Sequence, residues 1–167
     1  MEGLRRCTEK LLCILQKMRM MVGTAVLIAA TWGGGSVMVD SVTALRDNAR
    51  PLLVFTPSVM DHRFVEQVRQ LEPVEAGLRE RQVVVLVFPA QADSAKWRKG
   101  RDAELWREPA DGAAARRNFG VRPGEFTVVL VGKDGGEKLR EHAAIPFDRL
   151  RETIDAMPMR RDEMKRR

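Results

Sequence analysis

Val83-Val84-Val85-Leu86-Val87-Phe88 is an unbroken apolar run in which four of six residues are β-branched. A strand that is apolar on both faces belongs in the middle of a sheet covered by helices on each side. Upstream, Leu52 to Phe55 is a second compact apolar run, closed by Thr56-Pro57-Ser58. Proline has no N–H to give to a ladder, so this run reads as a buried strand meeting a turn. Between the two, Phe64, Val65, Val68 and Leu71 recur at helical spacing, with Arg63, Glu66, Gln67 and Arg69 expected on the wet face. Asp61 or Ser58 is placed to cap that helix by accepting from the free amides of its first turn. Pro73 either ends the helix or kinks it before the pattern resumes over Val74 to Leu78. A strand, a helix and a second buried strand form a parallel crossover by default.

Downstream, Ala90 to Pro109 is polar and rich in charge, with Trp97 and Trp106 as its large apolar anchors, and reads as a surface excursion. Asp111 is expected to cap a helix through Ala113, Ala114, Ala115 and Phe119 that Gly120 stops. Phe126 to Val131 is a third strand. Gly132-Lys133-Asp134-Gly135-Gly136 then supplies the positive φ that a hairpin turn requires, and Glu137 to Arg140 returns as an edge strand. Pro146 opens a last helix with Phe147, Leu150 and Ile154 as its buried stripe, and Pro158 ends it. Strand-helix-strand, helix, hairpin, helix is the order of a thioredoxin-like α/β three-layer sandwich with a small mixed sheet. The expected organisation is a signal region over residues 1–35, a lead-in over 36–49 with a short strand at Val37 to Val39, the domain over 50–158, and a solvated basic tail over 159–167.

The 167 residues fit one domain with tails. The net charge of +6 invites a nucleic-acid reading, but its location argues against one. Residues 1–30 hold five Lys/Arg against two Asp/Glu, residues 160–167 hold five against two, and the body between them is neutral at 19 against 19. Met20 to Ala30 is an uncharged apolar stretch of eleven residues, preceded by Lys17 and Arg19 and followed by Gly33, Gly34 and Gly35. Basic start, short apolar centre and small residues are the parts of a secretory signal. The stretch falls short of the about 20 apolar residues that span a bilayer. A periplasmic or secreted destination is expected, with a retained membrane anchor as the alternative. Both cysteines, Cys7 and Cys13, lie upstream of this run, and no other cysteine follows.

Three segments resemble a family known as domain of unknown function 4174: Arg50-Pro-Leu-Leu-Val-Phe-Thr-Pro57, Phe126-Thr-Val-Val-Leu-Val-Gly-Lys-Asp-Gly-Gly136 and Ile154-Asp-Ala-Met-Pro-Met-Arg-Arg161. The last is the most distinctive, because no general packing rule produces it. The likeness spans about Ala44 to Met164. It implies a thioredoxin-like or peroxiredoxin-like fold in exported proteins, without a settled activity.

In redox-active proteins of such a fold the nucleophile sits between the first strand and the first helix, where helix amides lower a thiol pKa. Here that stretch is Thr56-Pro57-Ser58-Val59-Met60-Asp61-His62, which offers no thiol. A serine needs a positioned base, and only His62 is near in sequence. Thiol chemistry is therefore not expected of the domain, no catalytic residue is assigned, and no cofactor is implied. The leading reading is a binding or accessory module with a protein or small-ligand partner. Its rival is non-thiol chemistry or anion binding at the turn, through Thr56, Ser58, Asp61 and His62. Met157, Met159, Arg160 and Arg161 form a second candidate, an interaction site, and the basic tail Arg160 to Arg167, interleaved with Met159 and Met164, is the candidate for contact with an anionic membrane surface or a partner's acidic face. His62 and His142 stand eighty positions apart with no third ligand at metal spacing, so no metal site is expected.

Overall fold

The computed structural model describes residues 40–91 and 97–166. The expected signal region at 1–35, with Cys7 and Cys13, and the strand expected at Val37 to Val39 lie outside the described residues. Among the described residues five strands form one mixed sheet: β1 (Arg50–Thr56), β2 (Val83–Pro89), β3 (Trp106–Arg107), β4 (Thr127–Val131) and β5 (Glu137–Glu141), in the order β3-β2-β1-β4-β5. β1 runs parallel to β2, from Arg50 beside Val83 to Thr56 beside Pro89, and antiparallel to β4, with Leu52 beside Leu130. All seven residues of β1 are buried, as its doubly apolar sequence requires.

Period-2 alternation divides the sheet's side chains between two cores. Leu52, Val54, Val85, Val87, Val128 and Leu130 face one side. They pack there against helices α2 (His62–Leu71), α3 (Glu75–Glu80) and α5 (Phe147–Asp155) through Phe64, Leu71, Leu78, Leu150 and Ile154. Leu53, Phe55, Leu86, Phe88, Val129 and Val131 face the other, against Leu45, Ala49 and Ala115. Ala115 belongs to α4 (Gly112–Asn118), and Leu45 and Ala49 follow α1 (Asp40–Thr43). These are the three layers the element order implies. Pro73 kinks rather than ends its helix: a 3-10 turn over Glu72–Val74 joins α2 to α3.

Several expectations are corrected. The lead-in is part of the fold, since Leu45 and Ala49 are core residues and the backbone N–H and hydroxyl of Ser41 donate to the Asp111 carboxylate at 3.2 and 2.9 Å. Asp111 therefore spends its oxygens on Ser41 and makes no side-chain cap on α4. The residues after Pro158 are not a solvated tail. Proline suits the first turn of a helix, and Pro158 opens α6 (Pro158–Lys165). The excursion after β2 returns to add strand β3, with Trp106 level with Val85. Its two indoles are core residues whose N–H groups donate to carboxylates, Trp97 to Glu108 at 3.0 Å and Trp106 to Glu75 at 2.8 Å. On α2 two faces exchange: Val65 is 51% exposed, whereas Gln67 is fully buried. The Gln67 amide donates to Ile145 O at 3.0 Å and accepts from Ile145 N at 2.7 Å, so it acts as one rung of a ladder.

Candidate functional site

The turn between β1 and α2 stands where the fold usually places its chemistry. The Thr56 hydroxyl is buried and donates to Ser58 O at 2.6 Å, and Ser58 Oγ accepts from Met60 N at 3.2 Å. Asp61 caps α2 by accepting from Arg63 N at 2.9 Å and holds the Arg63 guanidinium at 2.7 Å. That side-chain bond to Arg63 keeps the Asp61 carboxyl below its usual pKa. The His62 ring is 90% exposed and lies 4.0 Å from Asp61 rather than against Ser58. The structure thus brings Thr56, Ser58 and Asp61 together but spends their polar atoms on the turn itself. His62 stands apart, and Ser58 has no base bonded to it among the described residues. Val59 is buried below the turn and Met60, 79% exposed, stands above it.

Beneath this turn lies a side chain that the sequence reading passed over. Arg116 of α4 is 7% exposed, and its Nη2 donates to Thr56 O at 2.6 Å and to Phe88 O at 2.7 Å. Its Nη1 donates to Arg122 O at 3.1 Å. It therefore fastens the carboxyl ends of β1 and β2 together, while burial alone draws its pKa below the usual arginine value. Arg116 also lines a groove of about 810 Å³ whose apolar walls include Phe88, Pro109, Ala113, Val121 and Pro123. The volume is within the range of small-molecule pockets. The carboxyl ends of strands in an open α/β sheet are where ligands collect. One signal was present in the sequence: two arginines directly after Gly112 and three alanines, where short side chains leave room beside long cationic ones.

The second candidate region has a different character. Met157 is half-buried against the core, whereas Met159 is exposed. Arg161 is exposed, but Arg160 is only 1% exposed, which removes it from any contact surface. Its guanidinium donates to Glu80 Oε1 at 2.8 Å, to Glu80 O at 3.1 Å and to Asp155 at 3.3 Å. Arg81 binds the same Asp155 carboxylate at 2.8 Å. Nearby, Glu163 of α6 accepts from Arg50 at 3.0 Å and from Lys133 at 2.7 Å, and Lys133 also donates to Gln82. The three segments that carry the family resemblance thus converge on Glu163, which lies outside them: Arg50 and Lys133 bind it, and Arg160 reaches it at 3.7 Å. What they build is an ionic network under the amino ends of β1 and β2, at the opposite pole from the turn. Among the described residues no group of three His, Cys, Asp or Glu is placed to hold a metal ion.

The family model of a domain of unknown function, DUF4174, matches residues 41–163. The chain belongs to that family. The matched range runs from α1 into α6, so the network at Glu163 falls within the family's own boundaries. Among solved structures, peroxidoxin BcpB from Mycobacterium tuberculosis aligns with a TM-score of 0.56 at 15% identity, over 70% of this chain and 84% of its own. Thioredoxin peroxidase I from Plasmodium yoelii aligns with a TM-score of 0.54 at 15% identity, over 72% and 79%. AhpC from Mycobacterium tuberculosis gives 0.52 at 14% identity, over 70% and 72%. At these identities the likeness is one of fold, and the fold of this DUF4174 domain is thioredoxin-like. No curated protein sequence matches the chain.

Proposed function

We propose that this DUF4174 domain is an exported binding or accessory module without thiol chemistry. The observation that carries the reading is the turn after β1. Where a thiol would have to stand, the chain has Thr56 to Asp61, whose hydroxyls and carboxylate are bonded within the turn or to Arg63. A hydroxyl spent in this way, with no base beside it, is a poor nucleophile at neutral pH. Binding is left to the groove beside the turn, which has room for a small ligand. Export is supported by Lys17 and Arg19, the apolar run Met20 to Ala30 and the glycines after it.

The test uses the full chain carrying Cys7→Ser and Cys13→Ser, assayed for peroxide consumption and for insulin reduction. No turnover above buffer is expected, and turnover by the cysteine-free chain overturns the reading. Export is checked separately by fractionating the native host and sequencing the amino terminus of the recovered protein. Recovery of the intact chain from the cytoplasm sinks that part.

Exposed Met159 and Met164 stand on α6 among exposed Arg161 and Lys165, with exposed Arg166 at its end, which favours a second reading, contact with an anionic membrane surface. Replacing Arg161, Lys165 and Arg166 by Gln leaves Arg160 in its network. On this reading the substitution abolishes salt-sensitive sedimentation with phosphatidylserine vesicles, and unchanged sedimentation removes it.

A further inference from the structure

The groove between α4 and the carboxyl end of β2 has an electrostatic asymmetry. Among the described residues four ionisable side chains line it: Glu108, Arg116, Arg117 and Arg122. Glu108 is engaged by the Trp97 indole at 3.0 Å and by Arg98 at 3.5 Å, and Arg122 holds Glu125 at 2.5 Å. That leaves Arg116 and Arg117, which have no carboxylate partner among the described residues. The Arg116 guanidinium has five N–H donors, of which three are taken by carbonyl oxygens. The guanidinium also lies 5.6 Å from the centre of the Phe55 ring, but no carboxylate among the described residues balances this more than nine-tenths buried charge, and an anion in the groove would. The remaining wall is largely apolar, built from Phe88, Pro109, Ala110, Ala113, Val121 and Pro123.

We propose that this groove binds a small free amphiphile with an apolar body and a carboxylate head, the body lying against Phe88 and Val121 and the head meeting Arg116 and Arg117. The inference rests on the binding-module reading and names its ligand class. A guanidinium presents paired donors that suit a carboxylate, and a low-dielectric wall strengthens that bond. An uncharged amphiphile of equal length would bury the same apolar area but leave Arg116 uncompensated. A cationic one would add a like charge beside two arginines.

The experiment is calorimetric titration of the full chain with decanoate, decanol and decyltrimethylammonium at fixed salt. Decanoate is expected to bind about tenfold more tightly than decanol, the scale of one charge-assisted hydrogen bond, and decyltrimethylammonium more weakly than either. Arg117→Glu reverses an exposed charge without touching the bonds to Thr56 and Phe88. It should weaken decanoate about fivefold while leaving decanol unchanged. Ala113→Trp fills the groove from an exposed position and should abolish binding of both, with the thermal unfolding midpoint retained. Equal affinities for decanoate and decanol overturn the proposal, as does decanoate binding that survives Ala113→Trp. Sedimentation with phosphatidylserine vesicles that decanoate does not compete away, in a chain that fails to bind free decanoate, overturns it in favour of a lipid surface. None of these outcomes touches the thiol assays, so loss of this ligand class and loss of the module reading are told apart.

Discussion

Arg50 and Glu163, 113 positions apart, meet at 3.0 Å under the first strand, and Lys133 reaches the same carboxylate oxygen at 2.7 Å. Arg50 is 1% exposed and Lys133 is buried, so Glu163 is their common counter-ion at the seam between β1, the hairpin and α6. A buried cation stripped of its partner is far more costly than a surface pair is favourable. The contact therefore locks the end of the chain to the start of the sheet.

Burial alone would raise the Glu163 pKa, but the bonds from Lys133 and Arg50 outweigh it and bring the carboxyl from 4.5 down to about 2. A folded pKa below the unfolded value contributes stability that is complete above pH 4.5 and is lost as pH falls toward 2. With one quarter of the side chain exposed, the contribution is about 2 kcal/mol after allowance for solvent screening. Glu163→Gln should lose that amount at pH 7, and its urea midpoint should converge on that of the parent chain between pH 4.5 and 2.5. Parallel acid limbs for the two proteins would show that the carboxylate carries no such coupling.

Arg160 and Arg161 are neighbours in sequence with opposite fates. Arg160→Met leaves Glu80 and Asp155 without a cation they share, and should cost about 3 kcal/mol in urea unfolding. Arg161→Gln alters an exposed side chain and should stay within about 0.5 kcal/mol of the parent. A loss below 1 kcal/mol for Arg160→Met, by the same about 3 kcal/mol standard, would mean that α6 is held by its apolar contacts alone.

The legible part of this molecule is its apolar part. β1, β2 and β4 are runs buried on both faces, α2 begins at an acidic cap, and the hairpin needs Gly135 at φ +80°. Each of these is decided within a few residues, so the chain itself announces them. The buried polar residues are different. Arg50, Gln67, Arg116 and Arg160 each look like surface residues until their partners are known. Those partners stand 113 positions away for Arg50, 78 for Gln67 and 60 for Arg116 at Thr56. Only the folded topology brings such groups together, so periodicity on one helix could not find them. The groove was missed for the same reason, since it is assembled from β2, the segment before α4, and α4 itself.

Gln67 illustrates what that long-range closure is worth. Replacement by Leu keeps roughly the same volume but orphans both backbone groups of the buried Ile145. Each unsatisfied group costs about 1–3 kcal/mol, partly offset by the added apolar burial, so Gln67→Leu should lose about 3 kcal/mol. Hydrogen exchange at Ile145 N should speed up more than at β1 amides. Unchanged protection there would show that the amide clamp is dispensable.

Gly77 sets two opposing effects against each other. In an open helix Gly→Ala gains about 1 kcal/mol from propensity. Here a Cβ at position 77 would lie 2.6 Å from Cζ of Phe147, inside van der Waals contact. The Phe147 ring is packed on the core, with the Arg81 guanidinium 5.8 Å from its centre, and Arg81 Nη1 donates to Gly77 O at 3.2 Å. The ring is held from both sides, so the added methyl must displace it or the helix, at about 1–3 kcal/mol. Crowding therefore outweighs propensity, and Gly77→Ala should destabilise the chain by about 1 kcal/mol. Phe147→Leu withdraws the ring edge from the methyl, so the double variant should be more stable than additivity allows, by about 1 kcal/mol. A Gly77→Ala chain more stable than the parent would mean that the α3–α5 contact is loose enough to yield.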